Sequence, residues 1–260
     1  MVELQLTQYN VEQFLLVLVR IASFLYTAPI FSMTRTVPNK VKIGFAVMIS
    51  FLLFPIVPMD NVHYDSVIQY AAVVIKETTV GLLIGYMSNI CLNILVFAGR
   101  IIDMEIGFAM VTLFDPSTNE QASITGTIYN YFVMLLLIIS NMYQYIIKAA
   151  VDSYTVIPIG GLNLHVTSLY NVFLQYVTDC FVIGFRIVLP FFTVTLILNI
   201  ILGILAKIAP QMNMFVIGLQ LKVFAGIFVM FLTAMLLPSV ANFIFKEMKT
   251  LIVAAIEAMT

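Results

Sequence analysis

The sequence has few charged residues, no tryptophan, and only two cysteines and two histidines. Charged side chains make up 10% of its 260 residues, whereas 62% of the residues are hydrophobic. A soluble domain carries about 25% charged residues, so this chain cannot cover a water-exposed surface, and a soluble globule is excluded. The sequence therefore predicts a membrane protein, or a subunit that is buried by its partners.

The charges that are present nearly cancel, with 12 lysines and arginines against 13 aspartates and glutamates. Nucleic-acid binding needs clustered basic residues, so no nucleic-acid partner is expected. Cys91 and Cys180 lie far apart in apolar segments, and we interpret them as small buried side chains. His63 and His165 stand alone, and no catalytic or phosphate-binding motif occurs. We therefore predict no enzyme, no bound metal and no cofactor.

Long apolar runs account for most of the chain, and none alternates in the manner of a strand, which predicts helices. The runs are 11–31, 43–59, 67–98, 124–147, 169–205 and 214–245. Several exceed the roughly 20 residues that cross a bilayer, and Pro29, Pro55, Pro190 and Pro238 interrupt some of them. The sequence predicts an all-α, membrane-associated protein of long kinked helices and helical hairpins, with a kink or a turn at Pro190.

Charged residues also occur inside these runs, where each would be costly in lipid. They are Arg20, Lys76, Glu77, Asp179, Arg186 and Lys222. Lys76 and Glu77 point about 100° apart on a helix, and Asp179 and Arg186 stand about 10 Å apart along the axis. We therefore predict that these charges have partners on other helices or other subunits. An ion or proton relay is the alternative.

Glycine and polar residues recur every four positions along parts of three helices. Such ridges let another backbone approach closely and let amides bond across helices. We expect them to serve subunit packing, with ordinary packing inside the membrane as the alternative. The ridges are Glu77, Gly81, Gly85, Asn89 and Asn93; Thr195, Asn199, Gly203 and Lys207; and Gly218, Lys222 and Gly226.

A loop with an apolar first half follows the charged stretch that contains Asp103. Its apolar residues are Gly107, Phe108, Met110, Leu113 and Phe114, and Asp115 and Pro116 then begin a turn. Flexible methionine and bulky phenylalanine can seal an opening and still repack around different contents. A sealing loop is one interpretation, and a re-entrant or interfacial loop is the other.

The most specific pattern in the chain is Pro210-Gln211-Met212-Asn213-Met214-Phe215, followed by Leu221-Lys222. The loop pattern from Gly107-Phe108 to Phe114-Asp115-Pro116 is next. Other matching residues include Arg20, Glu77, Gly81, Gly85, Asp103, Asn199, Gly203 and Gly218. Together these motifs resemble the FliR family of flagellar type III export-gate proteins, whose relatives include the T subunit of injectisomes.

The resemblance implies a multi-pass subunit of the bacterial inner membrane, at the flagellar basal body. It implies assembly with FliP-like and FliQ-like subunits, and contact with FlhB-like and FlhA-like export proteins and with membrane lipid. The whole chain, 1–260, would be one FliR-like unit, with a FliP-like part at 1–165 and a FliQ-like helical hairpin at 166–260. Unfolded flagellar export substrates would pass through a pore that this unit helps to form.

The resemblance also implies roles for individual residues. In the family, the loop that matches 107–121 plugs the pore, which assigns the seal to Gly107, Phe108, Met110, Leu113 and Phe114, and the turn to Asp115 and Pro116. Subunit packing is expected for Arg20, Glu77, Gly81, Gly85, Asn89, Asn199, Gly203, Pro210, Gln211, Asn213, Gly218 and Lys222.

Two other functions stay open at the level of sequence. One is the injectisome subunit of the same family. The other is a secondary transporter for a small solute, which inverted repeats with paired broken helices would favour. We find Pro29 and Pro190 in apolar runs but no matching halves around them.

Overall fold

The computed structural model describes residues 8–32, 38–57, 66–109 and 123–260, and every regular element in these ranges is helical. The α-helices are α1 (Gln8–Thr27), α2 (Pro29–Ser32), α3 (Asn39–Leu53), α4 (Val67–Ile90), α5 (Asn93–Ile106), α6 (Ile124–Ile139), α7 (Met142–Val156), α8 (Val166–Ile208), α9 (Met214–Thr233) and α10 (Leu237–Glu257). A 3₁₀ turn, Ala234–Leu236, precedes α10. The predicted all-α class is confirmed.

Prolines lie at or near several of the helix boundaries. Pro29 is the first residue of α2, with only Ala28 between it and the end of α1, and α3 ends at Leu53, two residues before Pro55. Pro238 follows the 3₁₀ turn that separates α9 from α10. Proline lacks the N–H that a helix interior needs, but it is accepted in the first turn. The chain therefore begins α2 at Pro29 and accommodates Pro238 as the second residue of α10.

Two breaks occur without proline. Cys91 and Leu92 separate α4 from α5, and Ser140 and Asn141 separate α6 from α7. Asn141 has φ 56°, in the left-handed region that asparagine tolerates better than most residues. The Asn141 break lies inside an apolar run that the sequence treats as continuous.

Of the kink or turn predicted at Pro190, the turn is wrong, because α8 continues through this residue as one helix of 43 residues; the kink stays a prediction. Proline fixes φ near −65°, which is a helical value, so the ring removes one hydrogen bond without forcing the chain to reverse. Long apolar helices tolerate this loss because neighbouring groups can satisfy the freed carbonyl. The run 169–205 is thus a single helix.

Four stretches of the described chain are long and apolar enough to cross a membrane. They are Asn10–Thr27, Val67–Ile106, Val166–Ile208 and Met214–Glu257. The helices on either side of Ser140 and Asn141 add a fifth if they are counted as one broken span. In the last two stretches, only 17% of the most apolar segment is buried within the chain. The protein is therefore a membrane protein that leaves much apolar surface uncovered.

Contacts divide the chain into two compact units. Unit 1 consists of Met1–Cys91, Ser140–Tyr176 and Phe245–Thr260, and unit 2 consists of Leu92–Ile139 and Val177–Ile244. In the described part of unit 1, α1 packs along α4 and against α3; in unit 2, α5 packs against α6 and α9. The division into FliP-like and FliQ-like parts at 165/166 rests on the family resemblance and stays a prediction.

Candidate functional site

Arg20 and Glu77 form an ion pair inside unit 1, between α1 and α4. The guanidinium Nε donates to Glu77 Oε2 at 2.6 Å, and Nη2 donates to Oε1 at 3.0 Å. Both side chains are 1% exposed. Two parallel bonds between an arginine and a carboxylate form a strong and directional contact. For these two charges, the predicted partner on another helix is found within the same chain.

The remaining donors of Arg20 face α7 and the residue that follows it. Nη1 donates to the carbonyl oxygen of Ile157 at 3.0 Å. The guanidinium carbon lies 4.2 Å from the ring centroid of Tyr154, which places a cation over an aromatic face. The Tyr154 hydroxyl in turn donates to the carbonyl oxygen of Val17 on α1 at 3.1 Å. The arginine therefore joins α1 both to α4 and to the end of α7.

Gly160, in the turn after α7, is held by two adjacent residues of α4. Glu77 Oε1 accepts the Gly160 N–H at 2.9 Å, and Lys76 Nζ donates to the Gly160 carbonyl oxygen at 3.1 Å. Gly160 has φ 78°, where a side chain would be strained. We call Arg20, Glu77, Tyr154, Ile157 and Gly160 the ion-pair cluster. It satisfies a buried charge from several sides, as such a charge requires.

Gly81 and Gly85 let α1 approach α4 directly beside the ion-pair cluster. A Cβ atom at Gly81 would overlap the carbonyl oxygen of Arg20 and the hydroxyl of Ser23. A Cβ atom at Gly85 would collide with the side chain of Thr27 and with backbone of the same helix. These glycines therefore serve close helix packing within the chain, and their use between subunits stays a prediction.

In unit 2, Asp103 of α5 caps the first turn of α6. Its Oδ2 accepts the Ser123 hydroxyl at 2.7 Å, and its Oδ1 accepts the Thr125 N–H at 3.2 Å. Ser123 Oγ also accepts the Gly126 N–H at 2.8 Å. Asp103 is only 5% exposed. A carboxylate at a helix N-terminus satisfies free N–H groups and complements the helix dipole.

Gly99 and Gly126 let α5 and α6 approach each other closely, and Gly107 ends α5 near this contact. A Cβ atom at Gly99 of α5 would overlap the backbone of Gly126 in α6. Gly107 ends α5 with φ 96°, and its N–H donates to the Asp103 carbonyl oxygen at 3.0 Å. The end of α5 and the start of α6 are thus tied together, and we call Gly99, Asp103, Ser123, Thr125 and Gly126 the loop base.

The predicted seal begins at this loop base. Gly107 and Phe108 belong to the described chain, and both are half-buried. The other residues of the predicted seal and turn lie outside the described residues. They are Met110, Leu113, Phe114, Asp115 and Pro116. Their predicted roles stay predictions.

The packing residues predicted in the second half of the chain mostly lie at its surface. Those with exposed positions are Asn199, Gly203, Pro210, Gln211 and Asn213. A Cβ atom at Gly203 would meet nothing within 4 Å. Gly218 is buried beside Leu202, whereas Lys222 is half-buried. Asn89 of α4, in the first half of the chain, is half-buried as well. The exposed members are accessible to another subunit, and their role in subunit packing stays a prediction.

Sequence reasoning did not identify Tyr154 and Ser123 as site residues. Tyr154 is separated from the Val17 carbonyl that it binds by 137 residues, so no local pattern pointed to it. Ser123 carries a local signal, because a serine directly before an apolar helix is a common N-cap. No sequence pattern indicated that Asp103, on another helix, accepts a hydrogen bond from the Ser123 hydroxyl.

Both clusters act by holding helices together. Their charged and polar groups face backbone atoms, hydroxyls and each other, at 2.6 to 3.4 Å. Within the described ranges, no three His, Cys, Asp or Glu side chains are grouped so that they could hold a metal ion. What the geometry supports is the fixed placement of α1, α4 and α7 in one unit, and of α5 and α6 in the other.

Comparison with known proteins gives a match over nearly the whole chain. The family described as "Bacterial export proteins, family 1" matches residues 11–248. The chain is 32% identical to the flagellar biosynthetic protein FliR of Escherichia coli K12 over 229 residues, which are 87% of this chain and 84% of the relative. It is 29% identical to the protein of that name from Pectobacterium carotovorum, over 91% of this chain and 90% of the relative. It is 28% identical to that of Bacillus subtilis, over 85% of each chain.

Proposed function

The chain belongs to family 1 of the bacterial export proteins, and from this premise we propose that it is a core, non-enzymatic subunit of the flagellar type III protein export gate. The observation that carries the proposal is the match over residues 11–248 together with relatives named flagellar biosynthetic protein FliR. The chain is accordingly a component of flagellar protein export. The finer proposal concerns its place in the pore and its partners.

The gate would be an assembly of this chain with FliP-like and FliQ-like subunits, next to FlhB-like and FlhA-like proteins, in the inner membrane at the flagellar basal body. The uncovered apolar surface supports this proposal. In Val166–Ile208 and in Met214–Glu257, only 17% of the most apolar segment is buried within the chain. Lipid covers about 30 Å of an apolar helix, and α8 alone is about 64 Å long at 1.5 Å per residue. Other subunits would cover the remainder.

Within this gate, the loop 107–121 would close the pore to ions while no substrate passes. The loop base supports the proposal, because Asp103, Ser123 and Thr125 fix the positions from which the loop starts and to which it returns. The apolar residues Phe108, Met110, Leu113 and Phe114 would form the seal, since methionine and phenylalanine repack easily around a passing chain. Unfolded flagellar export substrates would displace them.

Co-purification tests the proposed assembly. The chain is tagged at its C-terminus, expressed in a flagellated host that lacks its own copy, and extracted in mild detergent. We expect it to elute in a large complex with several copies of small helical subunits, and to restore swimming. A chain that elutes alone and transports a small solute in liposomes would contradict the gate and support a secondary transporter.

A further inference from the structure

Arg186 stands near the middle of α8, and its side chain is exposed. It forms no hydrogen bond or ion pair with any residue that the structure describes. Its neighbours Phe185 and Leu189 are 52% and 55% exposed, so the charge lies on an apolar surface. An arginine in such a place is costly in lipid unless it finds a partner.

A groove between α8 and α10 opens beside this arginine. It has a volume of about 210 Å³. Its lining residues are Ile183, Arg186 and Ile187 of α8, and Ser239, Val240 and Phe243 of α10. The groove is thus lined mainly by apolar side chains, with the guanidinium of Arg186 and the hydroxyl of Ser239 as its polar groups.

Pro190 adds a second polar feature at the same level of α8. In a helix, the N–H of residue 190 would donate to the carbonyl oxygen of residue 186, but proline has no N–H. Pro190 lies inside α8, so the Arg186 carbonyl lacks its helical donor. Arg186 therefore offers a partner both its unpaired guanidinium and its free carbonyl oxygen.

The length of α8 leaves apolar surface that lipid alone cannot cover. Large apolar side chains are exposed along the whole helix, from Tyr170 at 61% to Ile208 at 73%. A helix of 43 residues is about 64 Å long, whereas the hydrocarbon core of a bilayer is about 30 Å thick. Lipid can therefore cover only about half of this surface, and the unpaired charge of Arg186 makes the surface around the groove the costlier part to leave in lipid.

We propose that the groove beside Arg186 binds an apolar helix of a partner subunit, and that one carboxylate on this helix pairs with the guanidinium. Charge complementarity selects an aspartate or glutamate, because two parallel bonds to a carboxylate satisfy arginine best. Ser239 provides a hydroxyl for a polar group next to that carboxylate. The inference rests on the proposed function, since it takes the chain to be one subunit of a larger gate.

Replacement of Arg186 by leucine separates a protein partner from lipid. Lipid accepts leucine more readily than arginine, whereas a partner's carboxylate would be left unpaired. We expect Arg186→Leu and Arg186→Glu to reduce the recovered complex by roughly tenfold or more, with chain levels in the membrane unchanged. Arg186→Lys should retain most of the complex. The matched control is Lys148→Leu, which removes an exposed charge from α7, outside the residues predicted to pack against other subunits, and should leave the complex intact.

A photoreactive amino acid in place of Phe243 gives an independent readout that does not require loss of assembly. An adduct with a helix that carries an aspartate or glutamate, in a subunit that co-purifies with the chain, supports the proposal, and adducts with lipid alone overturn it. A complex of normal amount with Arg186→Leu would also overturn it, while leaving the proposed function in place. A wild-type chain that recovers no partner at all would overturn both.

Discussion

The carboxylate of Glu77 accepts the backbone N–H of Gly160 at 2.9 Å, although 83 residues separate the two in the chain. The same carboxylate binds the guanidinium of Arg20, so one side chain links three segments of unit 1. A charge inside an apolar helix is thereby neutralised and hydrogen-bonded where solvent is absent. This arrangement fixes the helices in one geometry, because any shift would leave a buried charge unpaired.

Arg20→Leu and Glu77→Leu should each destabilise the protein strongly, by about 3–5 kcal/mol, because each leaves the other charge buried without a partner. The double variant should lose less than the sum of the two single losses, since it removes both charges. Thermal unfolding of the purified protein in detergent measures all three. Two single variants as stable as the wild type would show that the pair does not hold unit 1 together.

Lys76→Met is the matched control for these variants. Lys76 is adjacent to Glu77 and also contacts Gly160, but its side chain is exposed. After this change, the Gly160 N–H still donates to Glu77 Oε1, so the turn keeps its bond to α4. The unfolding temperature of this variant should therefore stay close to that of the wild type.

Gly81→Ala should destabilise unit 1 by about 1–3 kcal/mol, because the added methyl group would force α1 away from α4. Gly44→Ala in α3 is the control, since a Cβ atom at Gly44 would meet nothing within 4 Å. In an open helical position, alanine should stabilise by about 0.5–1 kcal/mol. Unfolding midpoints of the two variants should therefore move in opposite directions. An equal shift in both would contradict the close packing at Gly81.

Asp103→Ala should weaken the start of α6 by about 0.5–2 kcal/mol, the usual cost of a lost cap. The amide of Thr125 should then exchange its hydrogen faster, and that of Gly126 should follow as Ser123 loses its partner. Hydrogen exchange with peptide-level mass spectrometry detects both. Glu105→Gln is the control, because Glu105 contacts Thr195 and not α6. Unchanged exchange at Thr125 in Asp103→Ala would count against the loop base.

Deletion of Gly107–Leu113 should leave the complex able to assemble but make the closed gate leak ions. The loop base and the packing helices remain, whereas the apolar seal is removed. Conductance of the purified complex in planar bilayers measures the leak. A Gly/Ser stretch of the same length should leak as well, because it restores the chain length without the apolar side chains. An intact complex with wild-type conductance would remove the sealing role.

Local sequence patterns predicted the elements of the fold better than their connections. The apolar runs predicted the helices because hydropathy and periodicity are local properties. Pro29, Pro55 and Pro238 predicted bent helices or hairpins because proline removes an N–H. Of the kink or turn predicted at Pro190, the turn was wrong, since the φ that proline imposes is already helical. The break at Asn141 carried no sequence signal strong enough to be recognised.

By itself, the sequence determined that this protein is helical, lives in a membrane and cannot leave its internal charges without partners. Its low charge and long apolar runs mean that the chain is stable in a membrane or against other subunits and not as a globule in water. Only the tertiary structure decided which charges meet. Arg20 pairs with Glu77 across 57 residues and with Ile157 across 137, and Asp103 caps a helix through Thr125, 22 residues away. Such pairs depend on which helices lie side by side. Helical periodicity predicts the face of a helix on which a residue lies, but it does not predict which other helix packs against that face.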